Sequence, residues 1–237
     1  MNEEKQKRAH PRRSVATRLN WLRAGVLGAN DGIISTAGLV IGVAAASADA
    51  QHIATAGVAG LVAGAVSMAL GEYVSVSTQR DTETALIAKK QDQLKACPNE
   101  ARDWLVSFLH ARGVSQATSN TAIYEMREGE VLRAHLLHKF GVDESEIANP
   151  WVAAGSSMLS FSLGAALPLV AILLPPADSR ISVAFLSVLI GLVVTGWLSA
   201  FLGQSSKRSA IIRLVVGGAI AMTVTYGIGQ FLGTSVT

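Results

Sequence analysis

Two acidic residues lie inside long apolar stretches of this chain, and they are its first candidates for chemistry. Asp31 belongs to WLRAGVLGANDGIISTAGLVIGVAAASA, and Glu72 belongs to HIATAGVAGLVAGAVSMALGEYVSVST. Apolar stretches of this length are typical of membrane-spanning helices. Because a carboxylate at membrane depth is costly, it usually binds a cation or relays a proton.

Met68 joins this set through its spacing. It lies four residues before Glu72, so both side chains belong to one face of a helix. The first stretch would enter the membrane near Trp21, ten residues before Asp31, and the second would leave it near Thr78, ten residues after Met68. The side chains of Asp31 and Met68 are then about 15 Å deep in a hydrocarbon core about 30 Å thick. The spacing predicts that Asp31, Met68 and Glu72 line one path.

These side chain types favour a transition metal. Carboxylates alone suit Mg²⁺, Ca²⁺ or Mn²⁺, whereas a thioether shifts the preference toward softer ions such as Fe²⁺ or Co²⁺. A carboxylate must be ionised to bind metal, and burial favours its protonated form. Proton and metal then compete for the same group, which is the physical basis of proton/metal exchange.

Each candidate also has a structural alternative. Met68 alone could be a packing residue, because methionine fills gaps between helices. Glu72 could extend its carboxylate to the headgroup region. Asp31 is harder to explain in this way, although it could hydrogen-bond a broken helix. The sequence leaves these alternatives open.

The composition predicts an all-α polytopic membrane protein. Half of the 237 residues are apolar, only 5% are aromatic and 22 are glycine, a profile that fits membrane helices rich in small residues. The ladders Ala56, Gly60, Gly64 and Gly229, Gly233 predict close helix contacts, either within one copy or between two. Five segments are long and apolar enough to span a bilayer: 21–48, 52–78, 151–175, 181–206 and 209–234.

The basic residues predict the orientation. They are concentrated before the first span, in the connection 79–150 and around Lys207 and Arg208. Because basic loops remain in the cytoplasm, the N-terminus is predicted to be cytoplasmic and the C-terminus outside. The predicted divisions are a basic N-terminus (1–20), spans one and two (21–78), a cytoplasmic insert (79–150) and spans three to five (151–237).

Several classes of function are disfavoured. The net charge of +3 comes from basic residues that flank the apolar stretches, so the predicted partner is a lipid bilayer and not nucleic acid. The single cysteine, Cys97, cannot form an internal disulfide. We find no nucleophile elbow, phosphate loop or paired zinc-ligand motif, so no enzyme is predicted. The first span is too long for a cleaved signal sequence, and we expect a bacterial inner membrane.

The insert is predicted to contain three helices, a continuation of the second span to about Lys95, a helix over 99–112 and a helix over 115–140. Ser115 is expected to cap the third helix, and Gly141 to follow it. A cytoplasmic helix is expected to end just before Pro150. A unit of this size has a thin core, so we expect it to dock on the membrane helices or on a second copy.

Three motifs resemble the vacuolar iron transporter family: GANDGIISTAGLVIGVA (28–44), SMALGEYVSVSTQRDTE (67–83) and ANPW (148–151). The resemblance covers nearly the whole chain. It implies a dimeric transporter that moves Fe²⁺, and often Mn²⁺, out of the cytosol in exchange for protons, with the metal as cargo and no cofactor. The membrane-site aspartate and methionine of the family match Asp31 and Met68, and its glutamate on the second span resembles Glu72.

The insert departs from the family pattern. Where the family places metal-gathering glutamates, a gapless comparison finds Lys90, Gln93, Ala101 and Trp104. Met126 and Glu130 match a methionine and an acidic residue of the third insert helix, and they are further candidate metal ligands. A cytoplasmic metal store is then absent, or it is weak and built from Glu125, Glu130 and the two histidines at 135 and 138. A solvated helix face is the simpler interpretation of those histidines.

Two functions from different classes remain. The first is a divalent-metal transporter, a homodimer that contributes to metal homeostasis by proton antiport and uses Asp31, Met68 and Glu72. The second is a membrane scaffold or metal-responsive regulator that shares the fold but does not transport. The altered insert positions favour the second function, whereas the three intramembrane candidates favour the first.

Overall fold

The computed structural model describes residues 15–143 and 147–235, with side chains described over 25–97, 99–143 and 147–233. Residues 1–14 of the predicted basic N-terminus therefore lie outside the described residues. Within the described ranges the chain is helical, with no strand. The helices are α1 (Val15–Ala46), α2 (Ala50–Ala96), α3 (Pro98–His110), α4 (Gln116–Tyr124), α5 (Glu128–Phe140), α6 (Pro150–Leu173), α7 (Arg180–Leu202) and α8 (Lys207–Ser235).

Five of these helices are long and apolar enough to cross a bilayer. The candidate spans are Gly25–Ala46 of α1, α2, α6, α7 and Lys207–Gly233 of α8. The predicted all-α fold with five spans is therefore confirmed. Local hydropathy was sufficient to find these helices, because each needs a long run of apolar side chains to lie in lipid.

The chain forms two compact units. The membrane unit comprises Met1–Val74 and Pro150–Thr237, and the insert unit comprises Ser75–Asn149. Helix α2 contributes its first half to the membrane unit and its second half to the insert unit. The candidate residues Asp31, Met68 and Glu72 all belong to the membrane unit.

Helix α1 is the central helix of the membrane unit, and glycines bring its backbone close to α6 and α8. A Cβ atom added at Gly32 would lie 2.9 Å from the backbone nitrogen of Ala165. One added at Gly233 would lie 2.8 Å from the carbonyl oxygen of Ala46. The ladder Gly229, Gly233 thus makes the predicted close contact, and it does so within one chain. The core beside these crossings contains Ile33, Ala37, Val40, Ile41, Val188, Leu192 and Met222.

The predicted single helix over 115–140 is wrong, because two helices occupy this stretch. Helix α4 ends at Tyr124 and α5 begins at Glu128. The guanidinium of Arg102 donates to the carbonyl oxygens of Ile123, at 2.7 Å, and Met126, at 3.2 Å. Because Arg102 comes from α3, its bonds to these carbonyls are tertiary contacts that local helical patterning does not contain.

The boundaries of the insert helices give mixed outcomes. Ser115 caps α4 as predicted, and its hydroxyl accepts a hydrogen bond from the backbone nitrogen of Thr118 at 3.2 Å. Gly141 ends α5 in the left-handed conformation, with φ of 71°, where glycine meets no steric penalty. The cytoplasmic helix expected to end just before Pro150 ends earlier, at Phe140, and Pro150 begins α6. Proline at the first helical position loses no intrahelical hydrogen bond.

Candidate functional site

A cavity of about 230 Å³ lies in the membrane unit between α1 and α2. One side chain of α6, Phe161, closes part of its wall. The cavity has space for several water molecules, each with a liquid volume of about 30 Å³. The residues that line it are Asp31, Ser35, Thr36, Leu39, Gly60, Gly64, Ser67, Met68 and Phe161.

Asp31 and Met68 therefore lie at one cavity, as the depth argument predicted. The Met68 side chain is partly buried and packs against Phe161, Ala65 and Ala165. Asp31 is exposed in the single chain. Of the described residues that line the cavity, Asp31 alone is ionisable.

Glycines on α2 determine the space available at this cavity. A Cβ atom added at Gly64 would lie 2.6 Å from Cε1 of the Phe161 ring, and one added at Gly60 would overlap the side chain of Leu39. The ladder that predicted close helix contact thus also forms one wall of the cavity. A larger side chain at either glycine would displace the apolar wall or fill the cavity.

Hydroxyl groups supply further oxygens at the cavity. Ser35 donates to the backbone carbonyl of Asp31, at 2.5 Å, and its oxygen keeps lone pairs for a cation or water. Thr36 is only 2% exposed, and Ser67 lies next to Met68 in the chain. One carboxylate, one thioether and three hydroxyls are an arrangement that can hold a divalent transition metal that retains part of its water shell.

Glu72 is not brought to this cavity. It lies one helical turn beyond Met68 and is partly buried. Its neighbour Tyr73 packs on Trp151 of α6, with ring centroids 4.7 Å apart. Of the three side chains predicted to line one path, only Asp31 and Met68 line the cavity. Glu72 lies outside it, because one turn of helix displaces it along the helix axis from Met68.

The two candidates in the insert unit have separate surroundings. Met126 packs against the apolar cluster of Ala101, Leu105, Val106, Ile123 and Val131. Glu130 is exposed in the first turn of α5, where a negative charge favours the helix. In the ranges 25–97, 99–143 and 147–233, no group of three or more His, Cys, Asp or Glu side chains is arranged to hold a metal ion.

The prediction that His135 and His138 lie on a solvated helix face is correct for only one of them. The expected solvated helix face holds for His138, which is exposed, but His135 is only 4% exposed. The His135 ring packs on the edge of Trp104, with centroids 5.0 Å apart. Burial is the main cause that lowers the pKa of His135 below its ordinary value of 6.5, and Lys139 and Lys90 lower it further.

Some residues of the cavity lining have a local signal in the amino-acid sequence, and others have none. Ser35 and Ser67 are signalled by their spacing from Asp31 and Met68, since polar residues near a carboxylate at membrane depth can share its site. Phe161 has no local signal, because it comes from a distant span. Asn30, although next to Asp31, does not line the cavity, and its buried Oδ1 has no hydrogen-bond partner among the described residues.

Five apolar helices, with a carboxylate and a thioether at a cavity between two of them, define a polytopic membrane protein with a candidate cation site. A protein-family model described as the VIT family matches residues 22–230, and the chain belongs to this family. The resemblance inferred from the motifs is thereby confirmed. Proteins of the VIT family are transporters and not enzymes.

Several curated relatives are similar over most of their length. Vacuolar iron transporter homolog 2.1 of Arabidopsis thaliana is 38% identical over 92% of this chain and 84% of the relative. Vacuolar iron transporter homolog 1 of Oryza sativa subsp. japonica is 37% identical over 93% of this chain and 77% of the relative. The vacuolar iron transporter of Acanthamoeba castellanii is 35% identical over 88% of this chain and 77% of the relative.

Proposed function

We propose that this protein exports divalent iron, manganese or both from the cytosol in exchange for protons. The observation that carries the proposal is the membrane cavity at which Asp31 and Met68 lie together. The names of the relatives, which are vacuolar iron transporters or their homologs, support iron as a cargo. The scaffold alternative has no comparable feature in its favour within the membrane unit.

The chemistry of the cycle follows from the lining residues. Ionised Asp31 supplies the charge that attracts the cation, Met68 supplies a soft ligand, and hydroxyls replace part of the lost hydration. Protonation of Asp31 removes the charged ligand and favours release of the metal. Competition between proton and metal for one carboxylate thus couples the two fluxes.

A homodimer belongs to this proposal. Helix α2 carries a row of exposed apolar side chains at four-residue spacing, which are Val58, Val62, Val66, Leu70 and Val74. This row lies on the helix that forms one wall of the cavity, and Asp31 is itself exposed in the single chain. A second copy packed on α2 would cover this row of side chains and shield Asp31 from lipid.

The proposed location is a bacterial inner membrane with the N-terminus and the insert in the cytoplasm. The distribution of basic residues supports this orientation, with Lys207 and Arg208 at the start of α8 on the cytoplasmic side. Export from the cytosol then requires that metal reaches the cavity from the cytoplasmic surface near Thr78, ten residues beyond Met68.

Metal uptake into proteoliposomes tests the proposal. Vesicles that contain an iron-sensitive dye and the wild-type protein should respond to added Fe²⁺, and vesicles with Asp31→Asn should not. Asp178→Asn is the matched control, because Asp178 is an exposed carboxylate of the same unit in the connection between α6 and α7. Traces from wild type and Asp31→Asn that cannot be distinguished would favour the scaffold function.

A pH gradient tests the coupling to protons separately. Uptake should increase when the vesicle lumen is more acidic than the medium, since protons leaving the vesicle drive metal inward. Uptake that is independent of the gradient would exclude antiport while leaving metal transport intact.

A further inference from the structure

The insert unit contains a buried histidine that the proposed transport cycle does not use. His135 lies on α5 and is 4% exposed, and its Nδ1 atom is buried without a hydrogen-bond partner among the described residues. His138, one turn further along the same helix, is exposed. The two histidines therefore differ in environment although they share a helix.

Two aromatic side chains enclose the His135 ring. Trp104 of α3 meets it edge to face, with ring centroids 5.0 Å apart, and Phe140 of α5 lies 5.9 Å away. The His135 ring and Ala101 of α3 line the same small cavity, and the Ala101 backbone raises the pKa of His135 against the larger, opposite effect of burial. The neutral imidazole thus acts as a core side chain that holds α5 against α3.

The charges that face His135 come from all three helices packed around it. Lys139 lies on α5 itself, Lys90 lies on α2 and Glu100 lies on α3. Lys139 Nζ is 5.4 Å from the Trp104 ring centroid, and Lys90 Nζ is 5.0 Å from the Phe140 ring centroid. Two cations therefore face His135 against one carboxylate, and an imidazolium here would be both desolvated and repelled.

We propose that His135 is an acid-sensitive latch, whose protonation releases α5 from α3 and loosens the insert unit. The neutral ring fits the aromatic surroundings, whereas the charged ring gains more from water. The latch depends only on contacts within the insert unit, so it does not require that the protein transports metal.

The direction of the pH effect follows from linkage. Burial and the two lysines lower the pKa of His135 in the folded unit below the ordinary value of 6.5. When α5 is released, the ring takes up a proton more readily than when it is packed. The stabilising contribution of the neutral ring is therefore complete above about pH 6.5 and is lost as the pH falls toward the folded pKa.

Hydrogen exchange of the full chain in lipid nanodiscs tests the latch. Exchange is measured at pH 7.5 and 5.5 and corrected for the intrinsic chemical rate. The corrected exchange rate of wild-type peptides from α3 and α5 should be about three- to tenfold higher at pH 5.5 than at pH 7.5, whereas that of peptides from α6 should not change. In His135→Phe, which fills the aromatic space without titrating, the increase should disappear. His138→Asn is the matched control on the same helix and should keep the wild-type response.

Two results would overturn the proposal. One is a wild-type insert whose corrected exchange is the same at both pH values, and the other is a His135→Phe variant that responds like the wild type. If His135→Phe does not fold, carbon-13 NMR of labelled histidines in the wild type decides instead. The His135 signal should titrate with a midpoint below 6.5 that coincides with the rise in exchange, and a midpoint at or above 6.5 contradicts the latch.

Discussion

At the scale of single residues, the charged ligand and the soft ligand of the cavity are two different side chains. Asp31 supplies the ionisable oxygen of the cavity and Met68 supplies the sulfur, each from a different helix. Mg²⁺ is abundant in cells and prefers oxygen ligands, whereas Fe²⁺ tolerates a thioether. Met68 is thus the residue on which discrimination between these ions should depend.

Replacement of Met68 by leucine tests this role. The two side chains have similar volume, so packing against Phe161 is kept and the stability cost should remain below about 1.5 kcal/mol. We expect Fe²⁺ uptake to fall relative to Mn²⁺ uptake, and competition by Mg²⁺ to increase. The measurement is dye-based uptake of each ion with and without excess Mg²⁺. An unchanged order of preference would assign Met68 to packing alone.

At the scale of helices, close contact in the membrane unit depends on the absence of side chains at particular positions. The crossing of α1 and α6 brings Gly32 against the backbone of α6. Backbone atoms cannot rotate away as a flexible side chain can, so an added methyl group at this position must separate the helices. Such a separation would also widen the cavity that both helices help to form.

The variant Gly32→Ala should therefore destabilise the membrane unit by about 1–3 kcal/mol, the usual cost of overpacking. Gly71→Ala is its control, since a Cβ atom there meets nothing within 4 Å, and alanine favours a helix over glycine by about 1 kcal/mol. Unfolding in mixed micelles measures both variants. Equal stability of the two variants would contradict the tight crossing.

The helices of the insert unit depend on a tertiary hydrogen-bond donor. Arg102 bonds the carbonyls at the break between α4 and α5. Its guanidinium also lies 5.6 Å from the Tyr124 ring centroid. The break allows Ile123 of α4 and Val131 of α5 to enter the same apolar cluster.

Arg102→Ala should destabilise the insert unit by about 2 kcal/mol, the typical value of charge-assisted hydrogen bonds in a partly buried place. Exchange of backbone amides in α4 and α5 of the full chain measures the loss. Lys95→Ala removes an exposed cation with one surface ion pair, and its effect should remain within about 0.5 kcal/mol. A variant Arg102→Ala with wild-type exchange would mean that the break does not need this arginine.

At the scale of the whole molecule, the exposed row on α2 connects the candidate site to the proposed assembly. Val62 lies near the middle of that row and is 54% exposed. On α7, Leu186 is 61% exposed and does not line the cavity. A dimer that forms through α2 should cover Val62 and leave Leu186 exposed to lipid.

Cysteine crosslinking distinguishes these surfaces. In a Cys97→Ser background, Val62→Cys should form a disulfide-linked dimer in the membrane, because a residue beside the two-fold axis of a symmetric dimer lies next to its own copy. Leu186→Cys should remain monomeric under the same oxidant. Equal crosslinking at both positions would indicate random collision, and crosslinking at Leu186 alone would exclude α2 as the interface.

The amino-acid sequence alone was sufficient to predict the five spans and the family, because hydropathy over about 20 residues and long motifs are local properties. It also brought Asp31 and Met68 to one depth, since helical rise converts residue number into distance. Features that depend on the direction of a side chain or on a partner far away in the chain appear only in the folded protein. Phe161 entered the cavity wall, Glu72 lay outside it, Arg102 met the break between α4 and α5, and His135 became buried. These features arise from contacts between helices, which no local pattern in the chain contains.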